Sequence, residues 1–592
     1  MARVAENCGL PLEERTVTMP LLIKRHPVKI IVLLLIVAAL GAWIYGNRPR
    51  RVDLAAWAPA DSLAFVEIND LTGVTGGIEE TKAWKAFGPL LGSPSNLAPN
   101  RWWIRLARWT GIGPADALLF ARAQVSVVLN GAEGSESGST LVIKPLLTFI
   151  IETHTSQWRM RAAVERHLED IARKNFGNPV AVRKQMQGVD LQEWQSEDAS
   201  RKIVVAFVNT TVIVANDESS VLHSIEASAG RRATLRDGSD LQDIRRATEA
   251  SNAAAFGFVS QSGVKSLLQA YVLNAENRKG VSDDSLTKAR LFADMFGGLV
   301  KHIGWTSKFI DGAVEDHCSI GLADGVTDKL RASMLPDRGP ELTELSFVPP
   351  DVHSFSIYRF HDSTSVWVDV NAVVSSHADL LGAIAARPLL KNLLKAYGID
   401  DPDAFTRGVG TRVQTIRFEE DSPAVLIADV FDRPALEKSV KERLGKNPRA
   451  EKLGDADLLV SSIDNWTAGF VGNNFLIGPG EDVRRCLQAR ASSQSILLSD
   501  SFRQSQKIVD VSLPLTAVTF ANDSRAAISF VEAFSTHPRS TFSTNAPAID
   551  QAARTLPLAV SVLMIKNGAI DWTSRSSFGI SGGITTQLFP EK

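Results

Sequence analysis

The strongest hydrophobic pattern in the chain is an unbroken apolar run at residues 30–45, with the sequence IIVLLLIVAALGAWIY. Basic residues flank the run, including Lys29 before it and Arg48 after it, and Trp43 and Tyr45 lie near its end. A helix of this length covers roughly 24 Å of a hydrocarbon core about 30 Å thick, which is short for a full span. Basic flanks and interfacial aromatic residues are nevertheless typical of a membrane-spanning helix, and the pattern predicts a transmembrane signal-anchor at residues 28–46.

Two alternatives to the signal-anchor remain open. Ala39-Leu40-Gly41 offers a small-residue cleavage site for a removable signal peptide, and a buried helix of a soluble domain is the other alternative. Residues 1–27 are interpreted as a short cytoplasmic tail, within which Met19 is a second candidate start. The expected location is the cytoplasmic (inner) membrane, crossed once, with the bulk of the chain extracytoplasmic or periplasmic.

Beyond this run, the hydrophobic pattern of the chain repeats itself. Residues 57–65 match residues 347–355, and residues 312–315 match residues 568–571, with proline, aspartate, glycine and aromatic positions in the same order. A helical stripe with a spacing of four residues recurs as well, as Met160, Val164 and Leu168 and then as Leu436, Val440 and Leu444. The sequence therefore predicts two copies of one unit, at 57–324 and 347–587, joined by a linker at 325–346.

Each copy is predicted to open with a strand (64–68 and 354–358) and to continue through helices and hairpins. In the first copy, a Gly- and Ser-rich loop at Gly131–Thr140 is expected to separate the two strands of a hairpin. In the second copy, Asp432 is a candidate helix N-cap and Gly445 a candidate helix stop. Because the strands cluster as hairpins, the predicted fold class is α+β with mainly antiparallel sheet: an N-terminal transmembrane helix followed by two tandem sheet-plus-helices units.

Composition narrows the classes of function. The chain has 64 basic and 66 acidic residues, so it lacks the basic excess of a nucleic-acid-binding protein. Its three cysteines are too few for a disulfide framework, and no Cys/His spacing resembles a zinc site. A disulfide between Cys318 and Cys486 stays an open possibility.

Two short motifs suggest catalysis and then fail on inspection. Asp316-His317-Cys318 brings together an acid, a base and a nucleophile, but neighbouring strand residues point to opposite faces of a sheet. Ser262 and Lys265 match the S-x-x-K pattern of serine acyl-enzymes, but the chain has no K-T-G, and Ser262 is interpreted as a helix N-cap. We therefore predict no catalytic, cofactor-binding or metal-binding residue.

One segment has the composition of a membrane-surface helix. Drawn as a helix, Arg101–Trp109 places its arginines on one side and its apolar residues on another, and the candidate lipid-contacting residues are Trp102, Trp103, Leu106 and Trp109. The second copy has leucines at the matching positions, which favours the alternative that this helix packs on its own sheet. The matching leucines are Leu389, Leu390, Leu393 and Leu394.

The opening of the first copy, Ala58-Pro59-Ala60-Asp61 followed by a strand, together with the single span and the duplication, resembles an uncharacterised bacterial family of membrane-anchored envelope proteins. That family is a domain of unknown function, so the resemblance implies an envelope location and no site. The predicted function is a non-enzymatic binding or scaffolding protein of the cell envelope, anchored in the inner membrane, whose partner is an envelope protein or a lipid. The alternatives are an envelope hydrolase with dispersed catalytic residues and a structural spacer.

Overall fold

The computed structural model describes residues 51–90, 123–137, 140–276, 282–337, 339, 341–342, 345–377, 391–535, 546–580 and 582. The chain divides into two compact units, and the described fold is that of the unit that begins at Val52. None of the described helices combines the length and the apolar character needed to cross a membrane. The fold class predicted from the sequence included such a helix at 28–46, a stretch outside the described residues, and that part of the prediction is withdrawn.

The fold is α+β and is dominated by a single antiparallel sheet. Twenty strands form it among the described residues: β1 (Ala64–Ile68), β2 (Gln124–Ser137), β3 (Thr140–Glu152), β4 (Val180–Met186), β5 (Val189–Gln195), β6 (Lys202–Val208), β7 (Thr211–Ala215), β8 (Ala255–Val259), β9 (Val300–Ile310), β10 (Ala313–Leu322), β11 (Ser354–Arg359), β12 (Val409–Arg417), β13 (Val425–Val430), β14 (Arg449–Leu453), β15 (Ala456–Val460), β16 (Trp466–Val471), β17 (Asn474–Pro479), β18 (Ala517–Ala521), β19 (Ala559–Ile565) and β20 (Ala569–Ser576).

Helices cover the sheet. The described α-helices are α1 (Leu71–Glu80), α2 (Lys82–Phe87), α3 (Gln157–Phe176), α4 (Glu218–Ser228), α5 (Ser239–Ala247), α6 (Gln261–Glu276), α7 (Asp283–Leu299), α8 (Val326–Met334), α9 (Ser363–His377), α10 (Pro402–Gly408), α11 (Arg433–Ser439), α12 (Lys441–Leu444), α13 (Gly480–Ser492), α14 (Asp500–Ser505), α15 (Ser524–Ser535) and α16 (Ala546–Ala553).

Counted inward from either edge of the sheet, the strands of the two halves follow equivalent orders. The first half of the chain, through β10, has the order β4-β5-β6-β7-β3-β2-β1-β8-β9-β10, and every neighbouring pair is antiparallel. The second half, from β11, continues as β20-β19-β18-β11-β12-β13-β17-β16-β15-β14. The two halves join through β10 and β20, so the prediction of two separate tandem units is corrected to one continuous sheet.

The junction is symmetric at the level of single residues. Residues 312–315 match residues 568–571 in sequence, and at the same offset His317 corresponds to Thr573. In the sheet these two residues pair directly with each other, so an approximate two-fold axis passes between them. An ion pair of 2.6 Å from Arg575 Nε to Glu315 lies on one side of that axis.

Helices of each half also pack on the other half. Trp84 and Phe87 of α2 pack against Phe530 of α15 and Phe578, and all four side chains are buried. In a second apolar cluster, Val373 and Val374 of α9, from the second half, pack with side chains of α7 and α8, which precede β11 in the chain. The halves are therefore held together by a strand pair and by two apolar clusters. Within one chain, they contact each other as the two subunits of a dimer would.

Local expectations from the sequence are met in part. The Asp432 side chain accepts a hydrogen bond from the Ala435 backbone N–H at 3.4 Å, and Gly445 ends α12 with a φ of 82°, so both predicted helix boundaries are confirmed. The predicted loop at Gly131–Thr140 is wrong, because β2 runs to Ser137 and pairs with β3 along its length. The stretch at 325–346, predicted as a linker, contains α8, whose Val326 and Leu330 are buried.

Candidate functional site

An apolar cavity of about 300 Å³ opens in the second half, between α9 and the strands β11 and β12. The cavity is large enough to enclose a small ligand. Its lining residues are Tyr358, Phe360, Ser363, Val366, Trp367, Val370, Leu393, Leu394, Tyr397, Phe405, Thr406, Val409, Val413, Thr415 and Leu426. None of these side chains carries a charge at neutral pH.

The N-terminus of α9 fixes one wall of the cavity. The carboxylate of Asp362 accepts a hydrogen bond from the Thr364 backbone N–H at 3.0 Å, which starts the helix. Ser363 then donates to the backbone carbonyl of Val409 on β12 at 2.8 Å, which ties the helix to the sheet. From this point Val366, Trp367 and Val370 follow at helical spacing and face the cavity.

A second wall comes from α10, which precedes β12. The side chain of Asp401 caps this helix by accepting from the Ala404 backbone N–H at 3.0 Å, and Pro402 occupies its first turn. On the cavity side, Thr406 donates its hydroxyl proton to the Pro402 carbonyl at 3.0 Å. Because this hydroxyl is already satisfied by the backbone, the wall remains apolar in character.

The residues predicted to contact lipid, Trp102, Trp103, Leu106 and Trp109, lie outside the described residues. The sequence match nevertheless leads to the cavity, because Leu393, the counterpart of Leu106, lines it and is 55% exposed. Its neighbour Leu394 also lines the cavity. From the sequence, these leucines favoured a helix packed on its own sheet, and no pattern predicted a cavity here.

The structure disperses the side chains of Asp316, His317 and Cys318. Asp316 accepts hydrogen bonds from the Ser307 hydroxyl and, at 2.7 Å, from the Ile580 backbone N–H, whereas His317 lies 3.2 Å from Asp571. Burial raises the pKa of the Cys318 thiol to about 11, so at neutral pH it is protonated and a poor nucleophile. The three residues do not form a catalytic group.

Asp571 sits beside the two-fold axis as an acceptor for three side chains. The Ser319 hydroxyl donates to it at 2.7 Å, the Lys566 ammonium lies at 2.5 Å, and His317 contacts its second oxygen. Burial raises the pKa of Asp571, but these hydrogen bonds outweigh burial and lower it to about 2. Since Ser319 donates to the carboxylate rather than to a histidine, the arrangement is structural and does not activate a nucleophile.

A second cavity, of about 340 Å³, has a mixed polar and apolar lining and lies beside α15. Its charged lining residues are already partnered: Arg525 pairs with Glu420 at 2.7 Å, and the carboxylate of Asp523 accepts from the Ser577 backbone N–H at 2.5 Å. Burial raises the pKa of Asp523. Its contact with the backbone identifies it as a support for the chain that follows β20.

The structure also bears on a predicted helix cap, a possible disulfide and metal binding. The N-cap of α6 is Ser260, whose hydroxyl accepts from the Gly263 N–H at 3.2 Å, so the prediction of Ser262 as the cap is wrong by two residues. Cys318 and Cys486 are free thiols and are not joined to each other. No group of three or more His, Cys, Asp or Glu side chains is placed to hold a metal ion in the described part of the chain.

No protein-family model and no curated protein match the chain. Two solved structures, crystal forms I and III of TP0453, are similar to part of it, each at 7% sequence identity. Form I has a TM-score of 0.22, with 46% of this chain and 80% of the other covered. Form III has a TM-score of 0.24, with 46% of this chain and 81% of the other covered. Similarity at this level supports no statement about fold or function.

Proposed function

We propose that this chain is a non-enzymatic binding protein that holds an apolar ligand, such as an alkyl or acyl chain, in the cavity beneath α9. The observation that carries the proposal is the cavity of about 300 Å³ whose lining contains no charged side chain. Among the partners predicted from the sequence, an envelope protein or a lipid, this cavity favours the lipid.

The chemistry of the lining supports binding rather than catalysis. Removing apolar surface from water contributes roughly 25 cal/mol per Å², so a ligand that fills an apolar cavity gains affinity without charged contacts. Hydrolysis, in contrast, requires a nucleophile and a base within hydrogen-bonding reach of the substrate. Among the described residues, the lining of this cavity contains no Asp, Glu, His, Lys or Cys side chain that could serve as the base.

The proposal is tested by titrating the intact, delipidated chain with N-phenyl-1-naphthylamine, a neutral dye whose fluorescence rises in apolar surroundings. Saturable binding is expected, and dodecane should displace the dye. Val366→Phe places a larger side chain in the cavity and should abolish binding, since overfilled sites exclude ligand.

The matched control is Val368→Phe, two residues further along the same helix. Val368 is 63% exposed and does not line the cavity, so this variant should bind the dye as the unaltered chain does. Absence of saturable binding, or equal loss in both variants, would overturn the proposal.

A further inference from the structure

A row of small hydroxyl side chains crosses the sheet from the edge of the cavity toward the junction of the halves. Directly paired residues in neighbouring strands share a face of the sheet. Thr415 of β12 pairs with Ser356 of β11, which pairs with Thr519 of β18, which in turn pairs with Ser561 of β19. The row continues to Ser574 of β20. These five positions are called the hydroxyl row below.

The row begins at the cavity, because Thr415 lines it. With strands about 4.8 Å apart, the three intervals from Thr415 to Ser561 span roughly 14 Å. Next to the row, and on the same face, Tyr358 of β11 lines the cavity and pairs with Ala517, which pairs with Leu563. A polar row and an apolar row therefore leave the cavity side by side.

Along β18, the face that carries the row is less covered than the reverse face. Along β18, Val518 and Phe520 on the reverse side are fully buried, whereas Ala517 and Thr519 on the side of the row are only half-buried. Ser561 and Leu563 on β19 are also half-buried. Ser356 and Ser574 of the row are buried, so access along the row is greatest at Thr415, Thr519 and Ser561, which are half-buried.

The row has unused hydrogen-bonding capacity. Ser356 and Thr519 share one hydrogen bond of 2.8 Å between their hydroxyl oxygens. Within the described residues, the side chains of Thr415, Ser561 and Ser574 make no hydrogen bond, although Ser574 is 93% buried. The hydroxyls of Thr415 and Ser561 are half-buried, so they can donate a hydrogen bond to a ligand or accept one from it.

Resting on the function proposed above, we infer that the site takes a neutral amphiphile, with its alkyl chain in the cavity and a hydroxyl- or ester-bearing head on the hydroxyl row. Ser and Thr hydroxyls donate to an ester carbonyl and accept from a ligand hydroxyl. A carboxylate or phosphate head would enter a half-buried site whose five side chains offer no cation, at a substantial cost in desolvation. Monoacylglycerols have the required chemistry.

The inference is tested by displacing the dye from the intact chain with three ligands that share a ten-carbon chain. Monodecanoylglycerol should bind most tightly, ahead of decanoate and decyltrimethylammonium. Thr415→Val, which keeps the shape of the side chain, and Ser561→Ala should each weaken monodecanoylglycerol roughly three- to tenfold, the effect of one neutral hydrogen bond. Ser561 does not line the cavity, so Ser561→Ala should bind the dye with unchanged affinity. Thr415 does line it, so for Thr415→Val the loss of affinity for monodecanoylglycerol should exceed any change in its affinity for the dye.

Thr573→Val is the matched control, because Thr573 is adjacent to Ser574 in sequence but lies on the other face of β20. It should leave the affinity for monodecanoylglycerol unchanged. Equal affinity for the three ligands, tighter binding of an ionic ligand, or no selective loss in the two row variants would overturn the inference while leaving the proposed function intact. Failure of the dye itself to bind would overturn both.

Discussion

The two halves share one strand order but differ in the first helix after their opening strand. In the first half, α1 carries Gly77 in contact with the ring of Phe309 on β9, where a Cβ atom would lie only 2.1 Å from that ring. At the same offset that relates the opening strands, the second half has Trp367 on α9. Glycine at position 77 therefore lets α1 lie directly on the ring of Phe309, whereas the corresponding Trp367 of α9 is part of the cavity lining.

Two halves with the same strand order can therefore differ in how their helices contact the sheet. Strand order is set by backbone pairing, which tolerates many side chains. The space beneath a helix is set by the volumes of a few side chains. Because protein interiors are closely packed, a small change in one of these volumes changes that space. The cavity beneath α9 therefore depends on a few side chains and not on the strand order that the two halves share.

The largest expected effect comes from breaking the contact between the halves. Phe530 of α15 is 4% exposed and stacks on Phe578 at a centroid distance of 4.0 Å, within the cluster that includes α2 of the first half. Phe530→Ala should lower the free energy of unfolding by about 3–5 kcal/mol. In urea denaturation the chain should still unfold in one transition, and hydrogen exchange should speed up in α2 as well as in α15.

Phe87→Ala provides the matched substitution from the other side, because Phe87 is fully buried in the same cluster but belongs to the first half. It should shift the same transition by a similar amount. If either variant destabilised only its own half, so that two transitions appeared, the halves would be independent domains and the interpretation of the cluster would be wrong.

A smaller effect is expected from filling the contact between α1 and β9. Gly77→Ala adds a methyl group against Phe309 and should cost about 1–3 kcal/mol, the usual range for overpacking. Gly76→Ala is the control, since no atom lies within 4 Å of the added group, and it should stabilise the helix by about 0.5–1 kcal/mol. Thermal unfolding measures both; equal shifts would show that Gly77 is not needed for close approach.

An effect of similar size, but dependent on pH, is expected from the carboxylate beside the two-fold axis. Since the pKa of Asp571 in the folded chain is about 2, below its ordinary value of 3.8, its ionised form stabilises the fold above pH 3.8. That contribution is lost as the pH falls from 3.8 toward 2. Asp571→Asn should therefore cost about 2 kcal/mol at pH 7 and progressively less in acid, as measured by urea denaturation across that range.

Asp316 lies on the paired strand β10, and its pKa is shifted in the opposite direction, which Asp316→Asn tests. Burial raises the pKa of Asp316, so ionisation destabilises the fold as the pH rises above 3.8. The asparagine variant should be at least as stable as the unaltered chain at pH 7, and the difference should vanish below pH 3.8. Parallel pH profiles for the two variants would contradict these roles.

Sequence reasoning reached the α+β, mainly antiparallel part of the fold, because hairpins and helical stripes are local patterns, but its transmembrane helix and its two separate units are not supported. It also found the cap at Asp432 and the stop at Gly445, where one residue type suits one backbone geometry. It missed the strands within 131–140, since Gly and Ser usually mark loops and the pairing with β3 is invisible to composition.

The junction of the halves and the cavity could not be predicted from the sequence, for a different reason. The pairing of β10 with β20 joins residues more than 250 positions apart, and its only trace in the sequence is the match between residues 312–315 and 568–571. The cavity depends on how Trp367, Leu393 and Tyr397 fit together in space. A sequence identifies such residues as apolar without showing whether they fill the space between them.

The pairing of His317 with Thr573 has a consequence for how this molecule varies. In a dimer of identical chains, both positions at the axis carry the same residue, so every substitution there appears twice. Here the two positions are encoded separately, and one is a histidine while the other is a threonine. The same independence extends outward from the axis, so a change that opens space in one half need not be repeated in the other.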